Sequence, residues 1–341
     1  MFTKKLLYWH RKYNKRSLPW KEITDPYKIW LSEIILQQTR AEQGLPYYER
    51  FLERYPTIFD LAKAPEDELF RMWQGLGYYN RCRNLHSTAK TIVDSYQGKF
   101  PNQFQDIRNL KGIGDYTAAA IASFAFRLPH AVVDGNVIRV LSRVFALTAD
   151  ASTALGKKTF QELAASLLDQ KQPHRFNQAI MDLGATICTP QVPICDSCPL
   201  QQLCKAYQHN TISKFPIKKK KAPLKDRYFH FLIPDTGKEL FILRREERDI
   251  WRGLYLPVFF ESESEKPPSD VKTLSWKKLP LLAQTKQILS HQRIHGLFYE
   301  VPLPWFSKHI NKSIQKINTK NIKDFPFPRT VISFFHKKNY L

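Results

Sequence analysis

Residues 25–40 read DPYKIWLSEIILQQTR, and the fold turns on this stretch. Asp25 suits a helix N-cap and Pro26 suits the first turn, where a missing N–H costs nothing. Tyr27, Trp30, Leu31, Ile34 and Ile35 recur at helical spacing and make a broad apolar stripe. Glu33 falls at the edge of that stripe, where a carboxylate would lose part of its water. Gln37 and Gln38 are expected to continue the helix, and with Glu33 to face a partner on its other side. A lone glutamate on an amphipathic helix is ordinarily solvated, and only the residues that follow change its reading.

Outward from this helix, residues 1 to about 24 predict another helix and a turn at Ser17–Trp20. Further helical segments are expected at Leu45–Tyr55, stopped by Pro56, at Thr57–Ala64, and at Pro65–Met72 with acids in its first turn. The tight turn Gly75–Tyr79 leads into Arg81–Tyr96, and Phe160–Leu168 and Arg175–Ile187 read as two more helices. No convincing strand alternation precedes residue 225, so this portion is all-helical.

Two short motifs lie within it. Leu110–Thr117, LKGIGDYT, is a glycine hairpin leading straight into the small-residue helix TAAAIASFAF. Gly112 and Gly114 allow the sharp turn and bare N–H groups at a helix N-terminus, a natural seat for a phosphate. Val133–Val137, VDGNV, places Asp134 at or just before the start of a helix faced by Val137, Val140, Leu141, Val144 and Phe145. Asp134 is an ordinary N-cap on that reading, but the helix dipole would also hold it ionised.

Lys and Arg outnumber Asp and Glu 53 to 31, a net charge of +22 that favours a polyanionic partner. An apolar content of 43% with 13% aromatics excludes a disordered chain. No run of eighteen apolar residues is present, so no membrane span is expected, and the basic amphipathic start lacks the marks of a secretory signal. Four of the five cysteines crowd together as Cys188, Cys195, Cys198 and Cys204. Their spacing reads as a tetra-thiolate metal site in a reducing compartment, and the chemistry alone leaves zinc and an iron–sulfur cubane open. Cys82 stands apart as a small buried hydrophobe.

Lys214–Lys225 is a proline-interrupted basic run and the expected linker, dividing a helical domain at 1–213 from a second domain at 226–341. Beyond it Tyr228–Ile233, Leu240–Leu243, Leu256–Phe260, Lys286–Ile294 and Leu297–Val301 read as strands, and Trp305–Ile317 as weakly helical. This domain is α+β.

SEIILQQT, LKGIGDYTAAAI, VDGNVIRV and the four cysteines together resemble the helix-hairpin-helix DNA glycosylases, and more narrowly the adenine-specific enzymes among them. The resemblance spans about residues 8–204, with the hairpin at about 108–127. It implies a mainly α helix-hairpin-helix glycosylase fold with an iron–sulfur cluster loop, followed by an α+β Nudix-like C-terminal domain. By position, Glu33 matches the general acid that protonates adenine, and Asp134 the carboxylate that steadies the sugar cation. Asn136 matches the residue that organises Asp134. Tyr116 stands where strand-cleaving relatives carry a Schiff-base lysine, which implies base excision by water alone. Trp20, Gln38 and Tyr78 match contacts to DNA near the lesion, and Gly112 and Gly114 the phosphate hairpin. Ser290 and His291, in Leu289-Ser290-His291, match a loop that detects 8-oxoguanine; Leu289 replaces the family's phenylalanine. Cys188, Cys195, Cys198 and Cys204 match the ligands of a [4Fe–4S] cluster. The implied partner is duplex DNA holding adenine opposite 8-oxoguanine or guanine, met by a monomer in the cytoplasm on chromosomal DNA, with no membrane.

Overall fold

The computed structural model describes residues 1–217, 223–267, 275–309 and 314–341. They form two compact units, Met1–Lys63 with Asn84–Lys220 and Ala64–Arg83 with Lys221–Leu341. Part of the expected linker lies outside the described residues.

The first unit opens with α1 (Phe2–Tyr13), α2 (Pro26–Leu36), α3 (Ala41–Arg54) and α4 (Ile58–Lys63). The chain then lends α5 (Glu66–Trp73) and the first residues of α6 (Asn80–Tyr96) to the second unit. The rest of α6 returns to the first unit, followed by α7 (Phe104–Asn109), α8 (Asp115–Phe126) and α9 (Gly135–Phe145). The helices α10 (Ala154–Leu167), α11 (Pro173–Thr186) and α12 (Lys205–Gln208) complete it.

Asp25 caps α2 as expected, accepting from the backbone N–H of Tyr27 at 2.9 Å. The helix is not amphipathic, however. Tyr27 and every residue from Ile29 to Ile35 are buried, because α3 and α8 pack against it. A helix apolar almost all round belongs in a core, so Glu33 is buried with its neighbours. The helix also stops at Leu36, short of the expected Arg40, and Gln38 turns into left-handed backbone at φ +57°. A second core gathers α1, α9, α10 and α11 around Phe2, Leu6, Leu141, Phe160, Phe176 and Leu183. Each such side chain contributes about 1.5–3 kcal/mol by leaving water.

The second unit holds two sheets. In the first, β1 (Lys225–Pro234) runs antiparallel to β4 (Phe259–Ser262) and parallel to β6 (Gln292–Val301), and β5 (Leu281–Ile288) pairs antiparallel with β6. In the second, β2 (Glu239–Arg244) lies between β3 (Tyr255–Pro257) and β7 (Gln315–Asn318), both antiparallel. Helix α13 (Leu303–His309) precedes β7, and α14 (Arg329–Lys337) covers β5 and β6. Phe298 stacks between Phe231 at 4.6 Å and Phe334 at 4.1 Å, which fastens α14 to the sheet.

Several expectations need correction. The sheets are open, ordered β4-β1-β6-β5 and β3-β2-β7, with no closed or curled sheet among the described residues; the Nudix-like assignment is not supported. The iron–sulfur loop of the expected fold fails as well, for reasons given with the cysteines below. The strand expected at Leu256–Phe260 divides at Val258, where the chain leaves one sheet for the other. The strand expected at Lys286–Ile294 is broken by a hairpin that Leu289 N–H closes on Gln292 C=O at 2.8 Å. The helix expected at Trp305–Ile317 is described as far as His309, and pairing with β2 draws Gln315–Asn318 into a strand.

Candidate active site

Three elements of the helical unit bring the chemistry together. Buried α2 carries Glu33, the first turn of α8 carries Tyr116, and Asp134 is the N-cap of α9. Glu33 is 7% exposed. Burial pushes its carboxyl from 4.5 up to about 7 and the nearby Asp134 charge pushes the same way, while a hydrogen bond from the Tyr116 hydroxyl works against them. Burial likewise raises the Tyr116 hydroxyl, which stays protonated and can only donate to an ionised neighbour.

Asp134 accepts the N–H of Val137 at 2.8 Å and the side-chain amide of Asn136 at 2.7 Å. These donors and the Arg139 charge lower its proton affinity, but burial outweighs them and the net direction is upward. The dipole alone therefore does not settle its ionisation. Asn136 is itself held by Arg139, whose guanidinium donates to its Oδ1 at 2.8 Å and to the Gly184 carbonyl at 2.6 Å. A side chain at Gly184 would stand 2.6 Å from the Asn136 Cβ, so the glycine permits this close packing. The extended segment before Asp134 is pinned by Asn177, which accepts from Val132 N–H at 3.0 Å and donates to His130 C=O at 2.8 Å. Sequence reasoning missed Arg139 and Asn177. The three-residue helical spacing from Asn136 to Arg139 could have found the first; the second joins residues too distant in the chain.

Glu33, Tyr116, Asp134 and Asn136 line one broad cleft of about 1580 Å³, ample for a nucleotide. Arg16, Lys21, Arg40, Arg127 and Arg175 line the same cleft and make it cationic. In the hairpin between α7 and α8, Gly112 has φ +78°, and a Cβ there would meet the Asn84 Cβ at 2.7 Å. Gly114 has ordinary backbone and open space around it, so nothing within the protein requires a glycine there.

Trp20 packs edge-on to Tyr48 at 5.3 Å. Gln38 is exposed with φ +57°. In the second unit Tyr78 is 47% exposed at φ +49° and its hydroxyl hydrogen-bonds Ser290. Ser290 and His291 form the exposed tip between β5 and β6. Left-handed backbone at a glutamine and a tyrosine stores strain of about 1 kcal/mol or more each.

The cysteines do not fit the expected [4Fe–4S] cluster or a zinc ion. Among the described residues no group of three or more His, Cys, Asp or Glu side chains is placed to hold a metal ion. Instead Cys188, Cys198 and Cys204 pack against the second core with Val140, Leu183 and Leu200. Burial pushes the Cys198 thiol up to about 12 and raises Cys195 and Cys204. The Cys204 thiol is turned to the Arg143 carbonyl at 3.4 Å, and Arg143 donates to Cys188 Sγ at 3.4 Å. The buried Arg143 also donates to the Thr189 and Pro190 carbonyls, at 2.7 and 3.0 Å, so hydrogen bonds shape this loop.

A family model described as HhH-GPD superfamily base excision DNA repair protein matches residues 31–166, the span that holds Glu33, the hairpin and Asp134. That is the class the fold and the cleft define, an enzyme that cuts N-glycosidic bonds in DNA. An adenine DNA glycosylase of Buchnera aphidicola subsp. Baizongia pistaciae (strain Bp) is 35% identical over 302 residues, 86% of this chain and 84% of its own. Another, from Buchnera aphidicola subsp. Schizaphis graminum (strain Sg), is 32% identical over 342 residues, 97% of this chain and 96% of its own. A thermostable thymine-DNA glycosylase structure superposes with a TM-score of 0.56 at 32% identity, over 61% of this chain and 95% of that one. The chain belongs to the adenine DNA glycosylases. No helix among the described residues is long and apolar enough to cross a membrane.

Proposed function

We propose that this enzyme hydrolyses the bond between adenine and deoxyribose where the adenine lies opposite 8-oxoguanine or guanine in duplex DNA. One observation carries the reading: a carboxyl titrating near 7 and a second, hydrogen-bonded carboxyl line the same cationic cleft. Adenine is a poor anionic leaving group, so a donor that still holds its proton near neutral pH is what scission requires. Glu33 gives that proton to N7 of the everted adenine. As the bond to C1′ breaks, positive charge grows on the sugar, and the Asp134 carboxylate steadies it, oriented by Asn136. A buried carboxyl that keeps its proton beside one held by donors is the device by which glycosidases divide acid and charge-stabilising roles.

A base buried in a duplex must first leave the stack, at a cost of a few kcal/mol that a mispair reduces. Gly112 and Gly114 would hold the backbone phosphates while this happens, with Trp20, Gln38 and Tyr78 filling the distorted duplex. Ser290 and His291 would read the oxidised guanine. Tyr116, hydrogen-bonded to Glu33, offers no amine for a Schiff base, so water completes the reaction and the strand stays whole. The protein would act as a monomer on chromosomal DNA in the cytoplasm.

The test is base release from paired duplexes that differ only in the oxidation of one guanine, run on a gel without alkali. Free adenine from the mispaired duplexes with an unbroken strand is expected. No free adenine from either duplex would leave a DNA-binding protein without this chemistry, and strand scission without alkali would indicate a lyase.

A further inference from the structure

Between α1 and α2 the segment Asn14–Asp25 forms neither helix nor strand. Even so, Asn14, Arg16, Leu18, Trp20 and Lys21 all line the cleft that holds Glu33. Loops without a backbone ladder are normally the mobile parts of a fold. This one is tied to a single carboxylate on α11. Asp182, wholly buried, accepts from Asn14 Nδ2 at 2.8 Å, Arg16 Nη1 at 2.9 Å and Lys21 Nζ at 2.7 Å. His10 Nε2 on α1 stands 3.2 Å away, and Gln178 Nε2 donates at 3.2 Å. Lys21 Nζ closes the loop on itself through the Arg16 carbonyl at 2.6 Å. The next residue, Glu22, is held at φ +59°, a conformation that persists in a non-glycine residue only when its surroundings fix it.

A buried ion cluster is a poor way to gain stability compared with apolar packing. Its value here is directional, since one oxygen pair sets the place of three side chains along a segment that has no helical or strand ladder. We propose that Asp182 is a positioning residue, holding Asn14–Lys21 as a fixed wall of the cleft so that the DNA strand meets a preformed surface. This rests on the reading that the cleft receives a strand of the mispaired duplex.

The sign of the effect separates this from simple electrostatics. Removing a negative charge from behind a DNA-binding cleft should tighten binding to phosphates; losing a fixed wall should weaken it. Single-turnover adenine release would be followed against the concentration of an adenine:8-oxoguanine duplex for the wild type, Asp182→Asn, Asp182→Glu and Asn14→Leu. For Asp182→Asn the half-saturating duplex concentration should rise at least tenfold, with the saturating rate per active site within threefold of wild type. Asp182→Glu, which keeps the charge, should recover part of the loss. Asn14→Leu removes one uncharged tie and should raise half-saturation severalfold; it decides the matter if Asp182→Asn does not fold. Partial unfolding alone would lower the number of active sites and leave half-saturation unmoved. Unchanged or tighter half-saturation in both Asp182→Asn and Asn14→Leu, or in Asn14→Leu alone if the other does not fold, overturns the proposal. Absence of release by the wild type would instead overturn the functional reading.

Discussion

Replacing Glu33 by Gln should abolish base release and at the same time stabilise the helical unit at alkaline pH. Gln keeps the volume and can still accept from Tyr116, but it cannot ionise. In the wild type the carboxyl rises from 4.5 to about 7 on folding, so the native state holds a proton that the unfolded chain gives up. The pH dependence follows in sign. Below about pH 4.5 both states are protonated and the raised affinity costs nothing; between there and about 7 the unfolded chain sheds its proton while the folded protein keeps it, so stability falls across that window and levels off above it. At about 1.4 kcal/mol per pH unit the full loss is about 3 kcal/mol, reached near pH 8. Urea unfolding of both proteins, followed by circular dichroism and by fluorescence across pH 4.5–8.5, should show the variant gaining about 3 kcal/mol on the wild type over that range. The single-turnover rate of the wild type should fall about tenfold between pH 6 and pH 8, following the protonated fraction. A stability difference that is flat with pH would refute the reasoning, because Glu33 would then be hydrated and ordinary. A flat rate profile would remove it as the proton donor.

The two hairpin glycines should behave oppositely. Gly112→Ala forces a methyl group into left-handed backbone against Asn84 and should cost about 1–3 kcal/mol in a thermal melt. Gly114→Ala meets open space and should leave the melt within about 0.5 kcal/mol, yet weaken duplex affinity by crowding the phosphate. Ser290→Ala with His291→Ala should reduce the preference for 8-oxoguanine over guanine opposite adenine while leaving the release rate from the guanine pair nearly unchanged. Burial would raise Asp182, but its hydrogen bonds from His10, Lys21 and Arg16 hold it down at about 2 against 3.8. Its contribution, about 2 kcal/mol above pH 4, should therefore vanish as pH falls toward 2, and acid unfolding of Asp182→Asn should lack that step.

Much of the helical unit was legible because its signals are local. Asp25, Pro26, Gly112 and the cap at Asp134 each fix backbone within a turn of themselves. Glu33 reads from the sequence as losing part of its water, and the structure buries it further, at 7% exposed. The stripe from Tyr27 to Ile35 reads as one face of a helix, and only the packing of α3 and α8 shows that the opposite face is covered too. The break at Leu36 is not legible because nothing in Gln37 or Gln38 forbids a helix. The second unit was harder for the same reason throughout. Gln315–Asn318 becomes a strand through Leu240 and its neighbours, some seventy residues earlier. The chain from Leu256 to Phe260 divides because two different strands claim its halves. The cysteine spacing suggested a ligand set, whereas Cys188, Cys198 and Cys204 pack on apolar neighbours, and Cys188 and Cys204 also meet Arg143, a destination that spacing cannot disclose.

The encasement of α2 makes dryness a shared property of the helical unit and not a gift of one residue to another. A substitution that lets water reach this helix, however far from the cleft, will let Glu33 ionise earlier and leave fewer molecules armed at neutral pH. Loosened variants should therefore falter in alkaline buffer while still folded, and regain their rate when the buffer is made mildly acidic.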